Sequence, residues 1–167
     1  IFGANFLTQR WEHQRLIAHE LAHQWFGNAV TLAAWRDIWL HEGFACYSEW
    51  LWSEQAGHAP TAHRAAHFHS ALAAKPQDLL LADPGPDLMF DDRVYKRGAL
   101  ALFALHSAVG DDAFFGLLQA WLDRYRGRNA TTADFLALAT AESGVDVSAL
   151  LDPWLNQLRL PPLPSSN

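Results

Sequence analysis

The sequence predicts a mainly α-helical fold, and three observations support this. Apolar residues recur at helical spacing over most of the chain, as in Leu16, Ile17, Leu21 and Trp25 near its start. Gly, Pro and Asn interrupt these stretches, and no alternation of period two extends beyond a few residues. Half of the residues are hydrophobic and 13% are aromatic, so the chain can fill a core and is not largely disordered.

The predicted helices follow one another along the chain with short connections. The first ends near Gly27, and the second begins near Asp37, which is expected to cap it or to pair with a base such as Arg36. Asp111 and either Thr131 or Thr132 are plausible N-caps of later helices. The predicted helical ranges are about 11–26, 37–55, 61–74, 92–109, 111–126, 131–142 and 146–157, and the proline-containing segment 76–91 is predicted to be a long loop.

Charge and composition exclude several classes of partner. The net charge is −6 and no run of Lys and Arg occurs, so no nucleic-acid partner is predicted. No stretch approaches the roughly 18 apolar residues of a membrane span. Cys46 is the only cysteine, which rules out an internal disulfide and fits a reducing compartment. We therefore expect a cytoplasmic protein.

The length suits one domain or subdomain, which we place at residues 1–162, followed by a frayed tail at 163–167. The opening segment IFGANFL is similar to the middle of a domain, and the first residue is not Met. We therefore expect a piece of a longer chain, with upstream domains of the same protein as partners.

The pentapeptide HELAH at 19–23 carries the strongest chemical signal. Four residues make just over one helical turn, so His19 and His23 project from one face and can reach one ion. Glu20 lies about 100° further round the helix. It is therefore placed to reach a water on the metal rather than the metal itself. A solvated or core-facing helix is the plain alternative.

A catalytic zinc needs three protein ligands and one open position. Glu42, in the segment WLHEGFACYSEW, is the best third ligand, with 18 residues between it and His23. A turn and connector of this size can bring the second helix alongside the first. We therefore predict one Zn²⁺ per chain, held by His19, His23 and Glu42.

These motifs together resemble peptidase family M1, the aminopeptidase N-like gluzincin metallopeptidases. HELAHQWFGN, the spacing to EGFA, and WRDIWLHEGFA are similar to the family's segments, and VYKRGAL at 94–100 is similar to its tyrosine segment. The close PWLNQLRLPPLP is also similar. The resemblance covers roughly 11–56 and 92–162. It implies a helical, thermolysin-like catalytic subdomain.

The resemblance also implies a function, a zinc metallo-aminopeptidase acting on peptides. Glu20 would be the general base, and Tyr95 would stabilise the oxyanion of the tetrahedral intermediate. The alternative for Tyr95 is a core tyrosine with a satisfied hydroxyl. The family's Asn before the third ligand is His41 here, which is a fourth ligand, a support for a ligand, or merely tolerated.

The family's Gly-x-Met-Glu-Asn segment, whose glutamate binds the substrate amine, is not in this sequence. We therefore predict that the isolated chain binds zinc but cleaves aminoacyl substrates poorly. Two other functions stay open: a zinc endopeptidase or other hydrolase, and a non-catalytic helical domain with a structural zinc. Glu20 argues against the last, because structural sites are closed and need no base.

Further residues have weaker assignments. Glu49, seven residues after Glu42, either supports a ligand histidine or is a solvated glutamate. Arg97 either binds a peptide carboxylate or backbone carbonyl, or forms an ordinary salt bridge. His63, His67 and nearby His69 are expected on a solvated face rather than in a second metal site. The tryptophans are predicted to lie in the core or to pack between helices, namely Trp11, Trp25, Trp35, Trp39, Trp50 and Trp52.

Overall fold

The computed structural model describes residues 3–164, apart from the side chain of Ala4, so the end of the predicted tail at 165–167 lies outside the described residues. Over this range the predicted mainly α fold is confirmed. The helices are α1 (Trp11–Ala22), α2 (Trp39–Gln55), α3 (Thr61–Ala73), α4 (Asp92–Val109), α5 (Asp111–Tyr125), α6 (Thr132–Ser143) and α7 (Val147–Asn156), and the strands are β1 (Val30–Leu32) and β2 (Arg128–Ala130). Within the described residues, no helix is both long and apolar enough to cross a membrane.

Helix α2 is the centre of the fold. It packs on α1 at one side and most extensively on α4 at the other. Its large side chains Trp39, Phe44, Tyr47 and Trp50 are each at most 2% exposed, as expected for a helix that is apolar around most of its circumference. The elements that carry the candidate site residues, α1, α2 and α4, are therefore packed against one another around α2.

The crossing of α2 and α4 depends on two glycines. A β-carbon placed on Gly98 would lie 2.8 Å from the Cα of Gly43, and one placed on Gly43 would lie 2.9 Å from the Cα of Gly98. Both contacts are with backbone atoms, which cannot move aside as a flexible side chain can. The absence of side chains at these positions lets the two helix backbones approach closely enough to set the distance between Glu42 on α2 and Tyr95 on α4.

Gly98→Ala is expected to destabilise the fold by about 1–3 kcal/mol, because the added methyl forces α2 and α4 apart. Urea unfolding of the metal-free chain measures this. Gly116→Ala on α5 is the matched control, since a β-carbon there meets nothing within 4 Å. That control is expected to be neutral or to stabilise by up to about 1 kcal/mol through helix propensity. Equal stabilities of the two variants would contradict the role assigned to the crossing.

No pattern in the sequence predicted the small sheet. β1 and β2 pair in parallel with Val30 opposite Arg128 and Leu32 opposite Ala130. Three residues are too few to show an alternating pattern, and the partner strand is almost 100 residues away in the chain. This short sheet is an addition to the mainly α fold, which the sequence predicted correctly.

Two predicted helix caps differ from the structure. α2 begins at Trp39 without a side-chain cap, and Asp37 is buried instead. Its Oδ1 accepts hydrogen bonds from the backbone N–H of Thr132 at 3.0 Å and from the Thr132 hydroxyl at 2.7 Å. Asp37 therefore ties the entry of α2 to the start of α6. Asp111 is the first residue of α5 rather than its cap, and Gly110 precedes it with φ 80°.

Thr131 caps α6 as predicted. Its hydroxyl accepts from the N–H of Asp134, and the Asp134 carboxylate accepts from the N–H of Thr131, which together form a capping box. This cap follows β2 directly and fixes the direction in which the chain leaves the sheet.

Arg97 has a structural position that its sequence context did not reveal. It is 4% exposed, and no carboxylate pairs with it among the described residues. Its guanidinium donates to the carbonyls of Trp154 at 2.8 Å, Leu158 at 2.9 Å and Pro153 at 3.2 Å, and also to that of Gln157. Burial lowers its pKa to about 10. Arg97 therefore binds the C-terminal end of α7, where carbonyls lack partners within the helix.

Only part of the tryptophan set lies in the core. Trp39 and Trp50 are fully buried, whereas Trp25, Trp35 and Trp52 are 47%, 65% and 44% exposed. Trp25 and Trp52 line one open groove between α1 and α2. Their size made them candidates for the core, but Trp25 lies beyond the end of α1 and Trp35 lies before the start of α2, outside the contact between α2 and α4.

Candidate metal centre

The three predicted ligands meet between α1 and α2. Glu42 Oε2 lies 3.3 Å from His19 Nε2 and 3.5 Å from His23 Nε2. One ligand atom from each residue lies within 4.8 Å of the others, and within residues 3–164 no fourth His, Cys, Asp or Glu joins this group. The structure therefore brings together the three residues that the sequence singled out, although 18 residues separate His23 from Glu42.

The spacing fits a tetrahedral zinc. Ligand atoms at about 2.0–2.1 Å from a tetrahedral ion lie about 3.3–3.4 Å from one another, close to the two distances seen here. Glu42 Oε2 is buried and accepts no hydrogen bond from the described residues, although both imidazoles approach it. A buried oxygen without a donor is costly, and a cation bound at this point would satisfy it.

α1 is shorter than predicted, and this affects His23. The helix ends at Ala22 rather than near Phe26, so the motif lies at the end of the helix and not in its middle. His23 keeps helical backbone angles, φ −62° and ψ −14°, and therefore still lies on the same face as His19. After it, the chain turns towards β1, with the N–H of Asn28 donating to the carbonyl of His23.

Each histidine is held by its Nδ1 atom. His23 Nδ1 lies 3.1 Å from the carbonyl oxygen of Phe26, which can only accept, so this nitrogen carries the proton. His19 Nδ1 lies 2.9 Å from Oε1 of the buried Glu49. With the proton on Nδ1, the Nε2 lone pair of each neutral imidazole is free for a metal. Of the two alternatives for Glu49, the structure places it against a ligand histidine.

Gly27 makes room for His23, a role that sequence reasoning missed. Its φ is 150°, and a β-carbon there would lie 2.9 Å from the carbonyl oxygen of His23 and 3.6 Å from the His23 Nδ1 atom. In the sequence, Gly27 indicated only the end of a helix. The structure shows that a β-carbon at this position would be too close to the backbone carbonyl oxygen of His23.

In the absence of metal, the charge states of His19, His23 and Glu42 depend strongly on one another. Burial alone would lower the pKa of His19, but the carboxylates of Glu42 and Glu49 on either side outweigh it and raise that pKa to about 9. Burial likewise opposes ionisation of Glu42, yet its contacts with His19 and His23 lower its pKa to about 2. Contact with Glu42 also raises the pKa of His23. Without metal, the cluster therefore favours a protonated His19 beside an ionised Glu42.

The metal-free chain is expected to lose stability as pH rises from 6 to 9. The pKa of His19 is above its ordinary value of 6.5, so its contribution is complete below pH 6.5 and is lost through about 9. The lowered pKa of Glu42 makes its contribution complete above 4.5 and lost towards pH 2. Urea unfolding at a series of pH values, with a chelator present, measures the loss of stability towards high pH and towards low pH.

The control for this pH dependence is Glu42→Gln, which removes the carboxylate. The stability difference between the original chain and this variant should shrink between pH 6 and pH 9. A difference that stays constant over this range would show that the His19–Glu42 pair does not titrate as described.

Glu20 and Tyr95 flank the cluster. Glu20 is exposed on α1, next in sequence to His19. The Tyr95 ring, from α4, stacks on the His19 ring at 6.0 Å between centroids with an interplanar angle of 16°. Burial, together with the charges of Glu42 and Glu20, raises the pKa of Tyr95 to about 12, so its hydroxyl stays protonated at neutral pH.

His41 is not part of the cluster. It lies beside β1 with Val30 and Leu32, and its Nε2 is buried without a hydrogen-bond partner among the described residues. Burial lowers its pKa, which favours a neutral ring. Of the alternatives left open by the sequence, a fourth ligand is not what the geometry shows.

The histidines of α3 do not form a second metal site within the described residues. His63 and His67 are exposed, as expected for a solvated face. His69 differs, because its Nε2 lies 2.7 Å from the carbonyl oxygen of Pro161 and binds the C-terminal segment to α3.

Comparisons with known proteins agree with this geometry. The sequence matches the Peptidase family M1 domain over residues 4–154. Glutamyl aminopeptidase from Bos taurus is 33% identical over 162 residues, which covers 91% of this chain and 17% of that protein. The chain thus spans less than a fifth of the length of this curated relative.

Solved structures show the same fold. An M1 zinc metallopeptidase from Deinococcus radiodurans is 41% identical with a TM-score of 0.85, covering 91% of this chain and 34% of that one. A mutant M1 zinc metallopeptidase from Deinococcus radiodurans, bound to a Tyr-Ser-Ala substrate, is 39% identical with a TM-score of 0.86, covering 99% of this chain and 37% of that one. The expected resemblance is confirmed, and the chain belongs to peptidase family M1.

Proposed function

We propose that this chain is the zinc-binding helical part of a metallo-aminopeptidase that removes N-terminal residues from peptides. The observation that carries the proposal is the convergence of His19 Nε2, His23 Nε2 and Glu42 Oε2 at the spacing of a tetrahedral site. The names of its relatives, an aminopeptidase and zinc metallopeptidases, support the reaction and the metal.

The proposed cofactor is one Zn²⁺ per chain, held by His19, His23 and Glu42. When bound, zinc lowers the pKa of a coordinated water towards about 7 and polarises the substrate carbonyl. The chain contributes by holding a proton on Nδ1 of each ring and by fixing the orientation of the ring, which directs Nε2 at the site. Because the pKa of His19 is raised without metal, zinc binding at neutral pH should release a proton from this ring.

Glu20 is the proposed general base. It follows His19 directly on α1, and its side chain is exposed, so it can reach a water in the cleft without acting as a ligand. In the proposed reaction its carboxylate accepts a proton from the attacking water and passes that proton to the leaving amine. This position beside the ligands also favours catalysis over a purely structural zinc site, which needs no base.

Tyr95 is the proposed donor to the oxyanion of the tetrahedral intermediate. Its ring is fixed on His19, and its raised pKa keeps a proton on the hydroxyl. A preorganised donor beside the ligands stabilises charge that develops only during the reaction. The position of the ring next to the cluster supports this role for Tyr95 over that of a tyrosine that only packs against the core.

Removal of N-terminal residues, rather than internal cleavage, is supported by the relatives. The relative from Bos taurus is named an aminopeptidase, and a related enzyme binds a Tyr-Ser-Ala substrate. The segment that binds the substrate amine in the family is not in this sequence, so upstream parts of the protein are proposed to supply it. An internal-cleaving zinc peptidase is the second candidate.

Metal analysis of the purified chain tests the proposed site. We expect close to one zinc per chain after dialysis, and a loss of most of it in His23→Ala. His63→Ala, an exposed histidine of α3, is the matched control and should keep its zinc. Failure of the original chain to retain zinc, or equal retention by all three proteins, would refute the site.

Substrate selectivity of the full-length protein tests the reaction. A peptide with a free amino terminus should be cleaved, and its N-acetylated form should not. Equal cleavage of both would favour the internal-cleaving alternative. The isolated chain is expected to bind zinc yet turn over aminoacyl reporters poorly, so strong chelator-sensitive turnover by this chain alone would contradict the need for upstream parts.

A further inference from the structure

We infer that Arg15 is a positioning residue for the metal centre, because it holds the Glu49 carboxylate in the orientation that fixes His19. This inference rests on the proposed zinc site and extends it by one residue. Arg15 touches neither the proposed ligand atoms nor Glu20 directly, so it would act only through Glu49.

The contacts form a continuous chain from Arg15 to the ligand. The Arg15 guanidinium donates to Glu49 Oε2 at 3.2 Å, and Glu49 Oε1 lies 2.9 Å from His19 Nδ1. Arg15 and His19 are four residues apart on α1, so they lie one above the other on the face turned towards α2. The two oxygens of Glu49 therefore meet two donors spaced by one helical turn.

This arrangement restricts the carboxylate. The Glu49 side chain is only 4% exposed, whereas that of Arg15 is 41% exposed. Without Arg15, Oε2 would be a buried acceptor lacking its donor, and the carboxylate could lower that cost by turning away from His19. With both oxygens bound, rotation breaks one hydrogen bond or the other. Arg15 thus keeps Oε1 directed at the imidazole.

The consequence for the metal follows from the imidazole. A proton held on Nδ1 by Glu49 leaves the Nε2 lone pair available, and it also fixes the plane of the ring. A Glu49 that turns away would leave the His19 ring free to change tautomer or orientation. The Nε2 lone pair of His19 would then be less often available and less accurately directed at the ion, so zinc would bind less tightly.

Two other cations lie near Glu49, but their donors are directed elsewhere. The Lys96 ammonium is 3.3 Å from Cys46 Sγ and 3.9 Å from an Asp92 oxygen. Arg64 donates to Ser53 Oγ at 3.1 Å. The negative charge of Glu49 acts on both cations at a distance and favours their charged forms. Within the part of the chain that the structure describes, Arg15 is the cation with a hydrogen bond to this carboxylate.

The test compares zinc affinity of the full chain with that of Arg15→Met, Arg15→Lys and Arg64→Met by competition with a chromophoric chelator. Substitution of the hydrogen-bond partner of a ligand histidine typically lowers metal affinity by about 10- to 100-fold. Arg15 contacts that partner, Glu49, rather than the histidine, and its side chain is partly exposed, so its effect should be smaller. We therefore expect Arg15→Met to weaken zinc binding up to about 10-fold. Arg15→Lys retains a charge and a donor and should recover most of the loss.

Arg64→Met is the matched control, because it removes a positive charge near Glu49 without removing a hydrogen bond to it. Its zinc affinity should equal that of the original chain. The absorption spectrum of the Co²⁺-substituted chain reports the ligand geometry directly, and it should change in Arg15→Met and not in Arg64→Met. Thermal unfolding of the metal-free forms identifies any general loss of fold.

The possible results separate this inference from the site on which it rests. If the original chain binds no zinc, both fall. If it binds zinc and Arg15→Met has the same affinity and Co²⁺ spectrum, only the role of Arg15 is refuted. Equal weakening by Arg15→Met and Arg64→Met would also refute it, because general charge rather than the Glu49 contact would then be responsible. An Arg15→Lys variant as weak as Arg15→Met argues against it in the same way.

Discussion

Glu20→Gln is expected to lower peptide hydrolysis by the full-length protein by about 10²- to 10⁴-fold, the range typical of general acid–base catalysis. Gln has nearly the same shape but cannot accept the proton of the attacking water at neutral pH. The proposed ligand atoms belong to His19, His23 and Glu42, so zinc content should remain near one per chain. Steady-state kinetics combined with metal analysis measures both quantities.

Glu12→Gln is the matched control for this variant. Glu12 is also an exposed glutamate of α1, but it lies in the first turn and pairs with Arg10, away from the cluster. The control should keep both zinc and activity. If Glu20→Gln retained most of its turnover, another base would have to be sought, and the proposed mechanism would be wrong in its central step.

Tyr95→Phe is expected to reduce kcat by about 10²- to 10³-fold with little change in KM, as for the loss of one oxyanion donor. The Phe ring can keep its position on His19, so only the hydroxyl is lost. A group that donates mainly in the transition state contributes little to substrate binding. Equal losses in kcat and kcat/KM would show this.

Tyr125→Phe provides the comparison for Tyr95→Phe. The Tyr125 hydroxyl donates to Asp134 at 3.4 Å near the start of α6, so its loss touches the fold and not the cluster. Normal kcat in Tyr125→Phe, with the loss confined to Tyr95→Phe, supports the proposal. A Tyr95→Phe variant that changed only KM would place the hydroxyl in substrate binding instead.

Much of the fold follows from local patterns that the sequence displays. α2 to α7 lie within about two residues of their predicted bounds, because apolar spacing, Gly and Pro act over one or two turns. The three candidate ligands could also be predicted from the sequence. His19 and His23 need only the helical repeat, and Glu42 needs only a second helix brought alongside by a connector.

What the sequence could not give depends on contacts between distant residues. The pairing of Val30 with Arg128 and the hydrogen bond from Thr132 to Asp37 join segments more than 90 residues apart. The early end of α1 has the same origin, since the chain must leave the helix after His23 to reach β1. The link from Arg15 to Glu49 also spans two helices, and no spacing rule indicates it.

The guanidinium of Arg97 sets a lower limit on how far the chain can be trimmed. The family match stops at residue 154, but two of the carbonyls that bind this cation belong to Gln157 and Leu158. A version ending at 154 would leave this buried charge without the carbonyls of Gln157 and Leu158. The residues that follow the family-model match are therefore needed to solvate a cation inside the fold, and a shortened chain must keep them.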